Sequence, residues 1–328
     1  MKAIQMNRFG GPEVLDLVEL ALPAPGPGQL RLRVRAAGVN FAETLMRENR
    51  YAMTPPLPSV PGCEVAGTVD ALGEGVDGFA PGMRVAAALF AAGVYFGGYA
   101  EYVVVDAAAV VPLPDALAFE DAAALPVQGL TALALARHVP VQGRSVLVTA
   151  AAGGVGSLLL QLLRAAGAAR VIALAGGAAK CEIARGLGAD VAIDYRAPDW
   201  QAAVRAATDG AGPDVVFDSV GGDITPACLQ LLAARGTLVI YGALNIQSFA
   251  LGVPELLGLI FRNQSVAGFA LAPLLTPQLL RDDLARLFAQ VLAGELKLGV
   301  TALPLAEAAE AHRRLEGRTS TGKLVLLP

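Results

Sequence analysis

Ser145-Val146-Leu147-Val148-Thr149 runs directly into Ala150-Ala151-Ala152-Gly153-Gly154-Val155-Gly156, so a β-branched apolar run passes through glycines into an amphipathic segment. A strand, turn and helix of this kind can hold a phosphate. Glycines without Cβ let the backbone approach a pyrophosphate, and the unpaired amides and positive dipole end of a helix beginning near Val155 stabilise its charge. The chemistry predicted is dinucleotide binding. Against the G-x-G-x-x-G fingerprint, Ala151 stands at the first glycine, Gly153 at the second and Gly156 at the third. The βαβ series that follows the turn, rather than the bare pattern, therefore carries the reading.

The choice of dinucleotide is read about twenty residues past the turn, where an NAD enzyme places a carboxylate on the ribose hydroxyls. Here the chain reads Leu174-Ala175-Gly176-Gly177, with no acid to oppose a 2′-phosphate. Lys180 offers a counter-charge, with Tyr195 and Arg196 at the end of the next strand, so NADP(H) is favoured over NAD(H). The competing reading of Lys180 is a solvated lysine at a helix start. Metal chemistry has little to draw on. The chain holds three cysteines, Cys63, Cys181 and Cys228, and two histidines, His138 and His312. No C-x-x-C spacing occurs, and Cys63-Glu64 is an isolated adjacent pair of ligand types, so no metal site is expected. The cysteines read as small buried hydrophobes in a reducing compartment.

These groups must be positioned by a chain of 328 residues, long enough for two domains, with an apolar fraction of 55%. Lys plus Arg number 25 against 29 Asp plus Glu, a net charge of −4, and no basic block is present that would track nucleic acid. The richest apolar stretches, such as Leu256 to Phe261, are short, and the amino terminus lacks the order of a signal peptide. A soluble cytoplasmic protein without membrane or nucleic-acid partners is expected.

Turn chemistry punctuates the chain up to about residue 114, with β-rich segments at Met1 to Gln5, Val14 to Glu19 and Gln29 to Arg35. Short glycine-bent strands at Pro61 to Val69 and Pro81 to Val85 suit a small barrel. From Phe119 the texture becomes helical, which places a domain boundary near residue 120. Beyond the turn, Leu158, Leu159, Leu162 and Leu163 fall at helical spacing, and Gly167 is placed to end that helix. Apolar runs at Val171 to Leu174, Val191 to Ile193, Val215 to Asp218, Leu238 to Tyr241 and Val266 to Phe269 alternate with helical stretches. That is the pattern of a doubly wound parallel sheet. The organisation expected is an α/β chain with a β-rich domain at 1–120, a Rossmann domain at 121–268 and a return to the first domain at 269–328.

Gly38-Val39-Asn40-Phe41-Ala42-Glu43-Thr44, Pro61-Gly62-Cys63-Glu64, Gly129-Leu130-Thr131-Ala132, Ala151 to Gly156 and the closing Arg318-Thr319-Ser320-Thr321-Gly322-Lys323-Leu324-Val325-Leu326 occur in one register. On these motifs the chain resembles, nearly end to end, the zinc-independent quinone oxidoreductases of the medium-chain dehydrogenase/reductase superfamily. The resemblance implies a GroES-like catalytic domain, a Rossmann NADP(H) domain, a cleft between them and a homodimer. Compared with the zinc alcohol dehydrogenases of that superfamily, Asn40 aligns with a ligand cysteine and Cys63 with a ligand histidine, and the structural-zinc lobe is missing. Without a Lewis acid, hydride addition to an electron-poor quinone or enone is the chemistry left.

The resemblance implies that Asn40 and Tyr51 lie beside the nicotinamide, where Tyr51, Asn40 or water eases oxyanion charge. Tyr51 also reads as a loop tyrosine packed beside Pro55 and Pro56. Further cofactor contacts are implied for Thr131, Ala152, Gly153, Gly154 and Val155, and for Ser219, Gly242, Ala243, Phe269 and Arg318, beside Lys180 and Tyr195. The substrate pocket would depend on loops such as Ala91 to Gly98 and Leu244 to Leu251. An enoyl-thioester reductase and a non-catalytic, crystallin-like NADPH-binding protein stand as alternatives.

Overall fold

A computed structural model describes residues 1–242 and 251–328. The chain opens with strands β1 (Lys2–Gln5) and β2 (Asp16–Glu19), which pair antiparallel. β2 starts later than the apolar pattern suggests, because Pro12–Val14 forms a 3-10 turn led by its proline. The long strand β3 (Gln29–Val39) alternates buried Leu30, Leu32 and Val34 with outward arginines, the period of a half-buried strand. Helix α1 (Phe41–Arg47) follows, then β4 (Glu64–Leu72), β5 (Arg84–Ala88), β6 (Tyr102–Asp106) and β7 (Val110–Pro112). Pro81-Gly82-Met83 is a turn rather than a strand, with Gly82 at φ +85°. Helix α2 (Phe119–Ala123) leads through a π-helical turn at Leu125–Gly129 into α3 (Leu130–His138).

From β8 (Ser145–Val148) strand and helix alternate: α4 (Gly154–Ala165), β9 (Arg170–Ala175), α5 (Ala178–Gly186), β10 (Val191–Asp194), α6 (Trp200–Ala206), β11 (Val215–Asp218), α7 (Ile224–Leu231), β12 (Thr237–Ile240), α8 (Val253–Arg262) and β13 (Ser265–Gly268). The chain closes with α9 (Pro277–Leu292), β14 (Val300–Pro304), α10 (Ala308–Glu316) and β15 (Lys323–Leu327).

Two compact units result, Met1–Leu130 with Ala272–Pro328, and Thr131–Leu271. The first unit takes in α2 and the π turn, because α2 packs on β3 and β4 and the π turn packs on β5. In the first unit a seven-stranded sheet runs β14-β15-β3-β4-β5-β7, with β6 also on β3. Register shifts in β3 at Arg31/Leu32 and Val34/Ala36 bend it as a closing sheet requires. Leu30, Leu32, Val65, Val69, Val85 and Leu326 fill its core. The second unit is an all-parallel six-stranded sheet in the order β10-β9-β8-β11-β12-β13. The winding reverses between β8 and β11, the place where open α/β sheets take ligands. α4 buries Leu158, Leu159, Leu162 and Leu163, and stops as Gly167 at φ +82° donates to the Arg164 carbonyl. No helix among the described residues is long and apolar enough to cross a membrane.

Candidate active site

Asn40 stands where β3 hands over to α1, in an extended conformation at φ −121° and ψ 150°. Its backbone N–H donates to Glu43 Oε2 at 2.8 Å, the reach-back half of a capping box. The registers that set β15 and β4 on either side of β3 bring Lys323 and Glu64, the first residues of those strands, to Asn40. Asn40 Nδ2 donates to Glu64 Oε1 at 2.7 Å and to Glu43 Oε1 at 3.4 Å, while Oδ1 accepts from Lys323 Nζ at 2.7 Å. Lys323 also forms an ion pair with Glu64, with the two side chains 2% and 0% exposed. Glu64 Oε2 accepts the Val127 N–H of the π turn at 2.7 Å. Both hydrogens of the Asn40 carboxamide therefore face carboxylates, which fixes its orientation.

A second chain of contacts fixes Glu43. Tyr99 Oη donates to Glu43 Oε2 at 2.5 Å and lies 3.2 Å from His312 Nε2, while His312 Nδ1 lies 3.2 Å from Arg47 Nη1. Arg47 Nη2 donates to Glu316 at 2.5 Å and to Glu48 at 3.1 Å. A guanidinium can only donate, so His312 Nδ1 accepts, Nε2 carries the proton and donates to Tyr99, and the tyrosine hydroxyl is left to donate to Glu43. Burial, and then the Arg47 charge, lower the His312 pKa to about 3, in keeping with a neutral ring. Burial also raises Glu43 above its ordinary range, against the opposing pull of Tyr99, the Asn40 N–H and Lys323.

Beside this cluster Cys63 is buried, and burial followed by Glu43 and Glu64 pushes its thiol well above the ordinary value. It is a protonated thiol. Tyr51, 40% exposed, has its hydroxyl raised chiefly by partial burial. Among the described residues no three His, Cys, Asp or Glu side chains converge to hold a metal ion.

In the second unit the glycine turn caps α4. Gly153 is the N-cap, and the first turn of the helix leaves its amides without intrahelical acceptors. The left-handed residue is Ala150, at φ +47°, not a glycine. A Cβ at Gly153 would meet only the Ala150 carbonyl oxygen, at 3.1 Å, whereas one at Gly156 would strike that oxygen and lie 2.8 Å from Ala151 Cα. Thr149 donates to the buried Asp218 Oδ1 at 2.7 Å and accepts the Ser219 N–H at 3.1 Å, while Val220 N–H donates to the same carboxylate oxygen at 2.9 Å. The ends of β8 and β11 are tied together this way, next to the turn. Gly242 follows β12, where a Cβ would lie 2.7 Å from Ser219 Cβ.

At the end of β9 a Cβ on Gly176 would lie 2.8 Å from Tyr195 Oη, and one on Gly177, at φ +105°, would strike the Arg196 guanidinium. Arg196 is held by Asp194 through bonds of 3.1 and 3.0 Å, which lower the Asp194 pKa to about 2. Lys180 lies in the first turn of α5. The glycines at the end of β9 thus stand where a side chain would collide with Tyr195 or Arg196. Ala152 and Val155 flank the turn, and Thr131 begins the unit within α3. Phe269 follows β13 and meets the His138 ring edge-on at 5.2 Å. Arg318 belongs to the first unit, at φ +54° just after α10. Ala243 and most of the 244–251 loop lie outside the described residues.

The partners of Asn40 escape a reading of the sequence by motif. Glu43 is legible as the third residue of a capping pattern, but Tyr99, His312 and Arg47 carry no local signal, and Lys323 reads as one lysine of a terminal strand.

Two family models match the chain, one described as an alcohol dehydrogenase GroES-like domain over residues 26–115 and one as a zinc-binding dehydrogenase over residues 154–289. A quinone oxidoreductase of Pseudomonas aeruginosa is 37% identical, across 100% of this chain and 99% of its own length. The chain belongs to the quinone oxidoreductase family. That family lies in the medium-chain dehydrogenase/reductase superfamily, and its pairing of a GroES-like domain with a Rossmann-type sheet is the architecture found here. Among solved quinone oxidoreductases, the Escherichia coli structure complexed with NADPH is 33% identical with a TM-score of 0.92, covering 100% of each chain. An NAD-dependent alcohol dehydrogenase is 36% identical with a TM-score of 0.87, also covering 100% of each chain.

Proposed function

We propose that this quinone oxidoreductase family member binds NADP(H) and reduces quinones, and α,β-unsaturated carbonyls of similar electron demand, by hydride transfer without zinc. The bonding at Asn40 carries the zinc-free reading. Its carboxamide is committed to Lys323, Glu64 and Glu43, and a carboxamide is not among the thiolate, imidazole and carboxylate donors that zinc takes. The Escherichia coli relative with NADPH, together with the acid-free end of β9, supports the cofactor.

When bound, the cofactor supplies the hydride. Gly153, Gly154, Val155 and Ala152 would take the pyrophosphate on the α4 amides, Lys180 and Tyr195 the 2′-phosphate, and Arg318 a further cofactor contact. Thr131, Ser219, Gly242, Ala243 and Phe269 would line the path to the nicotinamide. Asn40 and Tyr51 would sit beside the ring. Because both Asn40 amide hydrogens face carboxylates, the donors left to ease oxyanion charge on the substrate are the Tyr51 hydroxyl and water.

The same reading includes a homodimer in the cytoplasm. α8 exposes Val253, Leu256, Leu257, Ile260 and Phe261 next to β13, the last strand of the parallel sheet, which supports a second copy as the covering partner.

NADPH absorbance followed with a panel of quinones, small enones and enoyl thioesters, with and without chelator, tests the proposal. Quinone turnover that chelator leaves untouched is expected. Turnover confined to thioesters would make the protein an enoyl-thioester reductase. NADPH binding without turnover of any member would make it a non-catalytic binder, and about one tightly held zinc per chain would overturn the metal-free reading.

A further inference from the structure

The buried polar cluster around Asn40 has an unequal charge count. Glu64 and Lys323 form one ion pair, and Cys63 is a neutral thiol. The Tyr99 hydroxyl is held protonated by burial and by Glu43, and His312 is a neutral ring. Arg47, beyond His312, has Glu316 and Glu48 as its own counter-charges. Glu43 is left over. It accepts from the Asn40 N–H, from Asn40 Nδ2 and from Tyr99 Oη, and the direction of the His312–Tyr99 chain forces the tyrosine proton toward it. Three donors aimed at one carboxyl group match a carboxylate and leave a carboxylic proton without an acceptor among these partners.

A carboxylate 3% exposed is costly without its own counter-cation, and Lys323 already pairs with Glu64. Glu43 also lies one helical turn from Asn40, so its charge is fixed in place by the backbone. Reduction of a quinone takes up a hydride ion and one proton to give the hydroquinone, while NADPH becomes NADP+, and a positive charge appears on the nicotinamide. A fixed negative charge near that ring favours the oxidised form through space and needs no contact.

We infer that Glu43 is an electrostatic tuning residue, whose buried carboxylate binds the oxidised cofactor preferentially and so makes the bound reduced cofactor a stronger hydride donor. The inference rests on the reading that places Asn40 beside the nicotinamide. It gives the Arg47–His312–Tyr99 chain a purpose, since those residues keep Glu43 ionised without supplying it a counter-cation.

The decisive measurement is the ratio of the dissociation constants for NADP+ and NADPH, taken by calorimetric titration of the full-length protein. Glu43→Gln keeps the size and one acceptor oxygen while removing the charge. NADP+ should weaken on the order of tenfold relative to NADPH, the effect of a unit charge felt across about 10 Å at an effective dielectric of about 20. Glu64→Gln removes the other carboxylate and leaves Lys323 to balance Glu43, so the ratio should move in the same direction; this variant decides the matter if Glu43→Gln does not fold. Tyr99→Phe removes the hydroxyl that helps keep Glu43 ionised and should move the ratio in the same direction, by no more than Glu43→Gln does. Equal losses of NADP+ and NADPH in the glutamine variants would overturn the inference and reduce Glu43 to a support for Asn40. Failure of the wild-type protein to bind NADPH would instead refute the proposed function.

Discussion

Replacing Lys323 by Met tests whether the ion pair behind Asn40 is needed for the fold. Lys323 and Glu64 are 2% and 0% exposed, so the methionine fills the space of the aliphatic stem while Glu64 loses its cation in a site that water does not reach. Breaking a buried pair from one side costs about 3–5 kcal/mol. Glu64 would still accept from Asn40 Nδ2 and the Val127 N–H, which places the loss near the lower end, at about 3 kcal/mol. For a unit of this size about 1 kcal/mol moves Tm by roughly 2–4 °C, so Lys323→Met should melt about 6–12 °C below wild type. Adding Glu64→Gln removes the orphaned charge and should recover about half of that loss, because the two sites are directly coupled. Urea titration and thermal melting of the wild type, both single variants and the double variant form the required cycle. A Lys323→Met protein that melts within about 2 °C of wild type would refute the reasoning, as would a double variant less stable than Lys323→Met alone.

The remaining expectations concern the cofactor and pH. Lys180→Ala should weaken NADPH by about 1–3 kcal/mol and leave NADH nearly unchanged, with calorimetric titration of both cofactors as the check and equal losses as the failing result. Gly153→Val should abolish NADPH binding with little change in melting, since its Cβ meets only the Ala150 oxygen; Gly156→Val should also lower stability by about 1–3 kcal/mol, through collision with the Ala150–Ala151 backbone. Near wild-type NADPH affinity in Gly153→Val would mean that the pyrophosphate lies elsewhere. His312, lowered to about 3 by burial and then Arg47, binds its proton less readily folded than unfolded, where the ordinary value of about 6.5 holds. Its contribution is therefore fully present above that ordinary value and is lost as pH falls toward 3, by about 1.4 kcal/mol per pH unit. Urea midpoints between about pH 7 and about pH 4.5 should show this slope in wild type and a shallower one in His312→Gln; parallel slopes would assign the acid sensitivity to other groups.

Much of the second unit is written locally in the chain. The apolar run Val215–Asp218 is a strand at those same bounds, and the leucines of α4 bury the face their spacing defines. Gly167 stops that helix because a left-handed residue is needed there. The glycine turn was likewise legible, since it is built from one strand, one turn and one helix. Even so, the left-handed position fell on Ala150, which the fingerprint does not single out.

What only the tertiary structure decided is the surroundings of Asn40. Lys323 bonds to it across 283 positions and His312 reaches Arg47 across 265, distances over which no periodicity or spacing rule operates. Their meeting depends on β15 pairing with β3 and on α10 packing against α1, both products of the folded unit rather than of any segment. A lysine or histidine read alone is more often a solvated or a core residue than part of a charge network. The sequence alone therefore determined the Rossmann-type fold and its glycine turn, because their physics is local. The charge balance beside Asn40 appeared only when distant strands were brought into register, because burial and pairing exist only in the folded chain.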